Sequence, residues 1–170
     1  MGVLIKFEKV SFEQYCKDRR SIHPIIRESV LRNEWENIKL PTRATYGSSG
    51  YDFYAPYDVG VIQDSLDNPI IYTGVRFVVD EAVMWVLLMP RSGWGFKYGF
   101  RLVNTIGNID GDYANAENEG HIAAKVSSMF PVPINRGDRF MQGVICPCIL
   151  TTDDCATGLR TGGFGSTGIY

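Results

Sequence analysis

The sequence of 170 residues predicts a single domain, 1–170, with an all-β fold and an additional N-terminal helical segment. Glycines and prolines recur at short intervals after residue 40, and the apolar runs between them are brief and rich in β-branched or aromatic side chains. This pattern predicts strands at 75–79, 82–89, 121–126 and 143–146. Short strands separated by turn signals indicate a sandwich, a barrel or a jelly roll.

Residues 11–35 depart from this pattern, because their apolar side chains recur at helical spacing. Ser11 followed by Gln14 is a capping-box pattern that predicts a helix start. Pro24 stands where a second helix could begin. The apolar stripe consists of Ile25, Ile26, Val30, Leu31 and Trp35. We expect this stripe to pack on the sheet rather than to bind a partner.

The composition limits the classes of function. A net charge of -2 and a pI near 5.7 give no broad basic surface, so we expect no stable binding to nucleic acid. The four cysteines form no CxxC pair and have no histidine at zinc-ligand spacing. No apolar stretch reaches the length of a membrane span or a signal peptide, which predicts a cytoplasmic protein without membrane contact.

Two polar segments before residue 100 combine charged side chains with glycine turns. In 41–53, Asp52 stands between two aromatic residues and is a candidate structural carboxylate paired with an arginine; a hydroxyl-rich loop is the alternative. In 89–95, Arg91 and Ser92 follow a buried strand, where guanidinium and hydroxyl donors can hold phosphate oxygens. A surface turn carrying the same residues remains open.

Two further segments contain carboxylates beside glycine. In 104–113, Asp110 and Asp112 bracket Gly111, and such a carboxylate can act as a general base if it reaches a water. An Asp-Gly hairpin turn explains the same spacing. Residues 135–142 lead into a predicted strand. If they are not part of a functional site, a turn with an Asp–Arg surface pair explains them.

The glycine-rich end of the chain, 160–168, cannot form a core. Its backbone N–H groups, two hydroxyls and Arg160 suit a polyanion, and Phe164 could stack on a flat ring. The alternative is a frayed terminus.

Taken in order, the five segments resemble the five motifs of the trimeric dUTPase (deoxyuridine triphosphate nucleotidohydrolase) family. The resemblance covers about residues 40–168. The matching segments are 40–45 with 49–52, 90–93, 107–113, 137–142 and 162–168. Met141 stands where the family usually has alanine.

The resemblance implies a dUTPase-like β jelly roll (β-clip) assembled as a homotrimer with three sites at subunit interfaces. It implies Mg²⁺-dependent cleavage of dUTP to dUMP and pyrophosphate. The Mg²⁺ would be bound through triphosphate oxygens and water, with no direct protein ligand.

The resemblance also implies roles for individual residues. Asp110 would activate the attacking water, and Arg91 would act with it. Tyr113 would pack against the deoxyribose and exclude a 2′-hydroxyl, Phe164 would stack over uracil, and Asp52 and Arg139 would form a supporting pair. The expected substrate-binding residues are Ser92, Gly93, Asn104, Gly107, Ile109, Tyr113, Gln142, Arg160, Phe164, Gly165, Ser166 and Thr167.

Three features depart from the family pattern. Residues 114–119 lengthen the substrate hairpin, Arg160 lies four rather than five residues before Phe164, and the helical segment 11–35 is extra. We expect 158–170 to form a mobile lid that orders on the substrate. Segments 11–35 and 114–119 are candidates for contact with a protein partner.

Two alternative functions remain open from the sequence. One is a dCTP deaminase or a bifunctional deaminase–diphosphatase, which shares the fold. The other is a nucleotide-gated regulatory protein that holds a partner. Ammonia release from dCTP would indicate the first, and nucleotide-dependent capture of a partner would indicate the second.

Overall fold

The computed structural model describes residues 4–64, 68–80 and 84–163. Its strands are β1 Ile5–Lys9, β2 Thr42–Arg43, β3 Gly50–Tyr54, β4 Gly60–Ile62, β5 Ile70–Tyr72, β6 Val75–Val79, β7 Met84–Pro90, β8 Arg101–Leu102, β9 Gly107–Ile109, β10 Ala123–Ser127, β11 Val132–Ile134 and β12 Arg139–Pro147. Its α-helices are α1 Phe12–Ile22, α2 Glu28–Glu36 and α3 Ser92–Tyr98, and a 3₁₀ turn spans Tyr113–Asn115. The fold is therefore mostly β with some helices, two of which lie near the N-terminus.

The largest sheet contains five antiparallel strands in the order β2-β3-β12-β7-β9. Strand β12 pairs with β3 on one side and with β7 on the other. Its Phe140 and Met141 side chains are fully buried. A Cβ at Gly143 would lie 2.8 Å from a methyl carbon of Val86, so glycine allows the close packing at this point. Smaller sheets pair β1 with β6, β11 with β4, and β10 with both β5 and β8.

The four strands predicted from the sequence are present, three of them with different ends. The first is β6 as predicted, and the second is β7, with residues 82 and 83 outside the described part. Strand β10 begins at Ala123, because His121 and Ile122 bond instead to the backbone of Gly74 and Val75. Strand β12 extends beyond the predicted 143–146 at both ends.

Helix α1 begins where the capping pattern predicted it. The Ser11 hydroxyl accepts a hydrogen bond from the Gln14 backbone N–H at 3.1 Å. The reciprocal contact differs from a capping box, because the Gln14 side chain donates to Asp18. The Ser11 N–H donates instead to Glu119, 108 residues away in the chain. A tertiary contact has thus replaced the local one.

Helix α2 begins at Glu28 rather than at Pro24, so the predicted start is wrong. Pro24 lies in a turn in which the Ile26 N–H donates to the His23 carbonyl. The later start leaves Ile25 outside the helix and 95% exposed, whereas Leu31 is fully buried. Of the apolar stripe, Ile26, Leu31 and Trp35 therefore pack against the core, whereas Ile25 and Val30 are exposed.

A buried ion pair joins the two helices. Arg19 Nε donates to Glu34 Oε2 at 2.9 Å, and Arg19 Nη2 donates to Glu34 Oε1 at 3.1 Å. The Tyr15 hydroxyl donates to the same carboxylate, and the Arg19 guanidinium stacks 3.5 Å from the centre of the Tyr57 ring. Burial raises the pKa of the Tyr15 phenol well above its usual range. Within the described residues, no helix is both long and apolar enough to cross a membrane.

Replacing one member of this ion pair tests how much the pair contributes to the stability of the fold. Glu34→Ala should lower the free energy of unfolding by about 3–5 kcal/mol, because the Arg19 guanidinium is left buried without its counter-charge. The double variant Arg19→Met/Glu34→Leu should recover most of that loss, because it buries no charge. Urea unfolding measures both. A loss below about 1 kcal/mol in Glu34→Ala would contradict the interpretation.

Candidate active site

Five polar side chains meet where β3, β7 and β12 run side by side. We call them the strand cluster: Asp52, Arg91, Ser92, Arg139 and Gln142. The register places Gln142 opposite Asp52 on one side, and Met141 opposite Pro90 on the other. Antiparallel pairing thus brings together residues that the sequence separates by up to ninety positions.

Asp52 is the centre of the strand cluster. Its side chain is 8% exposed, and its Oδ1 forms an ion pair with Arg91 Nε at 2.9 Å. Its Oδ2 accepts a hydrogen bond from Arg139 Nη1 at 3.0 Å. The sequence suggested one arginine partner, and the structure gives two. One buried carboxylate therefore orients two guanidinium groups whose side chains remain partly exposed.

A cavity of about 360 Å³ opens beside these side chains. Arg91, Ser92 and Gln142 line it, together with the glycine and serine residues of the first polar segment. A Cβ at Gly50 would lie 2.5 Å from the Gln142 amide oxygen, so a larger residue there would displace Gln142. The guanidinium, hydroxyl and amide donors suit an anionic ligand.

The segment after Arg91 is a helix rather than the expected turn. Arg91 is the N-terminal cap of α3, which begins at Ser92 and includes Gly93. The helix ends at Gly99, which has φ +63°. Gly99 in the left-handed conformation thus caps a helix of seven residues, in which the glycines of the predicted turn are accommodated.

A second group of polar side chains surrounds the predicted substrate hairpin. We call it the hairpin cluster: Asn108, Asp110, Asp112, Tyr113 and Arg160. Strand β9 carries Gly107 and Ile109 and pairs with β7. Ile109 is buried, whereas Asn104 lies on the exposed turn that precedes the strand.

Both carboxylate oxygens of Asp110 have partners. Oδ1 accepts a hydrogen bond from Asn108 Nδ2 at 2.8 Å, and Oδ2 forms an ion pair with Arg160. Arg160 Nε also donates to Asp112 Oδ1 at 2.8 Å. The side chain of Asp110 remains 41% exposed. Arg160, expected to reach a phosphate, thus contacts the hairpin carboxylates of its own chain.

Tyr113 is buried, and the Arg160 guanidinium lies over its ring, 5.6 Å from the ring centre. Its hydroxyl donates to the His121 carbonyl at 3.4 Å and accepts from Asn118 Nδ2 at 2.8 Å. Burial raises the pKa of the Tyr113 phenol, and the Asn118 hydrogen bond opposes that rise. A Cβ at Gly163 would lie 2.9 Å from the Tyr113 ring, so the tail passes close to it only because this residue is glycine.

The two clusters do not share ion pairs. Among the described residues, those of Asp110 and Arg160 stay within the hairpin cluster, and that of Arg91 stays within the strand cluster. Four predicted substrate-binding residues lie outside the described part of the chain: Phe164, Gly165, Ser166 and Thr167.

Sequence reasoning missed several residues that support the hairpin. Asn108 contacts Asp110, and Asn118 contacts Tyr113. The fully buried His121 contacts Asp18. The insertion 114–119 was the only signal for Asn118 and Glu119, and it predicted no specific contact.

The match to a family model follows the same part of the chain. The model described as dUTPase matches residues 36–168. A deoxyuridine 5'-triphosphate nucleotidohydrolase of Dinoroseobacter shibae is 36% identical over 153 residues, covering 82% of this chain and 95% of the relative. A relative of the same name from Lactococcus lactis is 34% identical and covers 83% of this chain and 95% of its own length.

Solved structures show the same fold. A dUTPase from Streptococcus mutans superposes with a TM-score of 0.60 at 30% identity, covering 85% of this chain and 97% of that one. The dUTPase of phage phi11 of Staphylococcus aureus has a TM-score of 0.60 at 18% identity, covering 92% of this chain and 97% of that one. At that identity the second comparison concerns the fold alone.

The role of the Asp52 charge can be tested with a substitution that preserves the shape of the side chain. Asp52→Asn should lower the free energy of unfolding by about 1–2 kcal/mol, because two partly exposed arginines lose their charged partner. The exposed Asp153→Asn is the matched control and should change it by less than about 0.5 kcal/mol. Chemical unfolding measures both. Equal changes in the free energy of unfolding for the two variants would contradict the proposal that Asp52 holds the strand cluster together.

Proposed function

The chain belongs to the dUTPase family and is a dUTP diphosphatase by homology, and we propose that it forms dUMP and pyrophosphate with its own Asp110 as the general base. The observation that carries the proposal is the hairpin cluster. It holds a half-exposed carboxylate beside Tyr113 and within reach of an arginine from the tail. The match of the family model across both clusters supports the same assignment.

In this proposal, water attacks the α-phosphorus of dUTP. Asp110 accepts a proton from the water as the oxygen–phosphorus bond forms, and the bond from the α-phosphorus to the bridging oxygen of the β-phosphate breaks. Pyrophosphate leaves with that oxygen. Asn108 bonds to Oδ1 and leaves Oδ2 as the oxygen that exchanges Arg160 for the water.

The phosphates would be held by side chains of the strand cluster. Arg91, Ser92 and Gln142 line the cavity there and present donors to it. Asp52 and Arg139 would support Arg91, because Asp52 fixes both guanidinium groups. Positioning and neutralisation of charge are the main requirements of phosphoryl chemistry.

Arg160 would change partners when the nucleotide binds. It lies on Asp110 and Asp112, and the γ-phosphate end of a triphosphate is a stronger concentration of negative charge. Transfer of Arg160 to the phosphate would free Asp110 for the water. Phe164 would then stack over uracil, and Gly165, Ser166 and Thr167 would close the lid 158–170.

The family uses Mg²⁺, and the donor chemistry of this chain fits its arrival with the triphosphate. The strand cavity presents cationic and neutral donors, and its carboxylate, Asp52, is paired with Arg91 and Arg139, so the lining suits phosphate oxygens rather than a bare cation. Within the described residues, no group of three or more His, Cys, Asp or Glu side chains could hold a metal ion. When bound, Mg²⁺ neutralises charge on the phosphate oxygens. Asp110 and Arg91 would act on the nucleotide that carries the Mg²⁺.

We further propose a homotrimer of β jelly rolls (β-clip) with shared sites. Among the described residues the two clusters share no ion pair, and shared sites in a trimer would let one substrate contact both clusters. The TM-score of 0.60 to the Streptococcus mutans enzyme supports the jelly roll. Neither cytoplasmic location nor a protein partner at 11–35 follows from these observations, and both stay predictions.

A pyrophosphate-release assay across dUTP, dCTP, dTTP and UTP with Mg²⁺ tests the substrate. We expect release from dUTP far above that from the other three. Ammonia release from dCTP would instead favour a deaminase. Tight binding of dUTP without release would favour the regulatory alternative.

Asp110→Asn tests the general base. We expect dUTP binding to persist while turnover falls by roughly a hundredfold to ten-thousandfold, because the amide cannot accept the proton. Asp112→Asn is the control, since it also loses an Arg160 contact but has no base role; it should retain most turnover. Steady-state kinetics and calorimetric binding measure the effects. Near-normal turnover in Asp110→Asn would refute the assignment.

Truncation after Leu159 tests the tail. The shortened protein lacks Arg160 and Phe164, so we expect a severe loss of turnover. We expect the assembly state to be unchanged, because residues 160–163, the removed part that the structure describes, belong to no strand. Pyrophosphate release and light scattering on the same sample measure both. Normal hydrolysis by the truncated protein would show that the lid assignment is wrong.

A further inference from the structure

Within the inserted residues 114–119, Asn118 makes specific contacts with residues on both sides of the insertion. Asn118 Nδ2 donates to the Tyr113 hydroxyl at 2.8 Å. The Asn118 side-chain oxygen accepts from the Gly120 N–H at 3.2 Å, and its carbonyl accepts from the His121 N–H at 3.0 Å. Asn118 is therefore fixed at three atoms while it holds the phenol.

The backbone after Asn118 adopts conformations that need support. Glu119 has φ +56°, which is unfavourable for a residue with a side chain. Gly120 has φ +69°, and a Cβ there would lie 2.7 Å from Ala114 Cα. The loop can close beneath Tyr113 only with glycine at this second position.

Helix α1 supplies the support. The Ser11 N–H and hydroxyl donate to the two carboxylate oxygens of Glu119 at 2.7 and 2.5 Å. A carboxylate at the N-terminus of a helix also interacts favourably with the helix dipole. The N-terminal cap of this helix thus binds the strained residue of the hairpin loop directly.

A second contact ties the other end of the loop to the same helix. His121 is fully buried, and its Nε2 accepts from the Gly74 N–H at 2.7 Å. Its Nδ1 must then carry the proton, which it donates to Asp18 Oδ2 at 2.6 Å. The helix therefore holds the residues on both sides of the Asn118–Tyr113 contact.

We propose that Asn118 is a positioning residue for Tyr113, and that α1 holds Asn118 in place through Glu119 and His121. Residues outside the five motifs would then determine how strictly the site rejects a 2′-hydroxyl. The inference rests on the proposed function, in which Tyr113 packs against the deoxyribose. A ring free to move would leave room for the additional hydroxyl of a ribonucleotide.

The ratio of kcat/KM for dUTP to that for UTP tests this inference. Asn118→Ala should lower the ratio roughly three- to tenfold, the effect of losing one hydrogen bond that fixes the ring. Glu119→Gln should lower it in the same direction, because the charged contact with Ser11 is weakened. Glu117→Gln is the matched control, since the Glu117 side chain is exposed; it should leave the ratio unchanged.

The possible outcomes distinguish a failure of this inference from a failure of the proposed function. Thermal unfolding of each variant establishes that it is folded, and Glu119→Gln serves if Asn118→Ala does not fold. A wild-type protein that hydrolyses neither nucleotide contradicts the proposed function and this inference together. Hydrolysis of dUTP with an unchanged ratio in the folded variants contradicts only the positioning role. An equal fall in kcat/KM for both nucleotides also contradicts it, because loss of structure alone does not discriminate between sugars.

Discussion

The pairing of β12 with β3 on one side and β7 on the other is the constraint on which the strand cluster depends. Backbone hydrogen bonds fix the register, so Gln142 lies opposite Asp52 and close to the end of β7. The two arginines then meet at one carboxylate. A shift of one residue in β12 would turn Gln142 to the other face of the sheet, and the cavity would lose one of its donors.

Arginine–carboxylate pairs occur between the two N-terminal helices, in the strand cluster and in the hairpin cluster, but they differ in burial. The Arg19–Glu34 pair is almost completely buried and joins two helices. The Asp52 pairs have a buried carboxylate and partly exposed arginines. The Arg160 pairs are the most accessible of the three on the carboxylate side. Because exchange with a ligand needs access to solvent, the last two sets suit a polyanion and the first suits stability.

The helical segment and the insertion differ most from the family pattern, and in the structure they contact each other. The dUTPase family match begins at residue 36, after α1 and at the end of α2. Yet α1 provides Ser11 and Asp18, which bind the loop beneath Tyr113. An intramolecular role therefore accounts for the inner face of α1, whereas Ile25, exposed between the helices, has no such partner among the described residues.

The sequence by itself determined the strand-rich fold, the start of α1 and the five ordered motifs, because turn residues, capping residues and short motifs act within a few positions. It also indicated Asp52 as a paired carboxylate. Only the tertiary structure decided the second arginine on Asp52, the partners of Arg160 and the support of Tyr113 by Asn118. Each of these contacts joins residues whose distance in space depends on how separate elements pack. The late start of α2 and the helix after Arg91 also differ from the sequence predictions, since local residue preferences are weak and do not by themselves fix the bounds of an element.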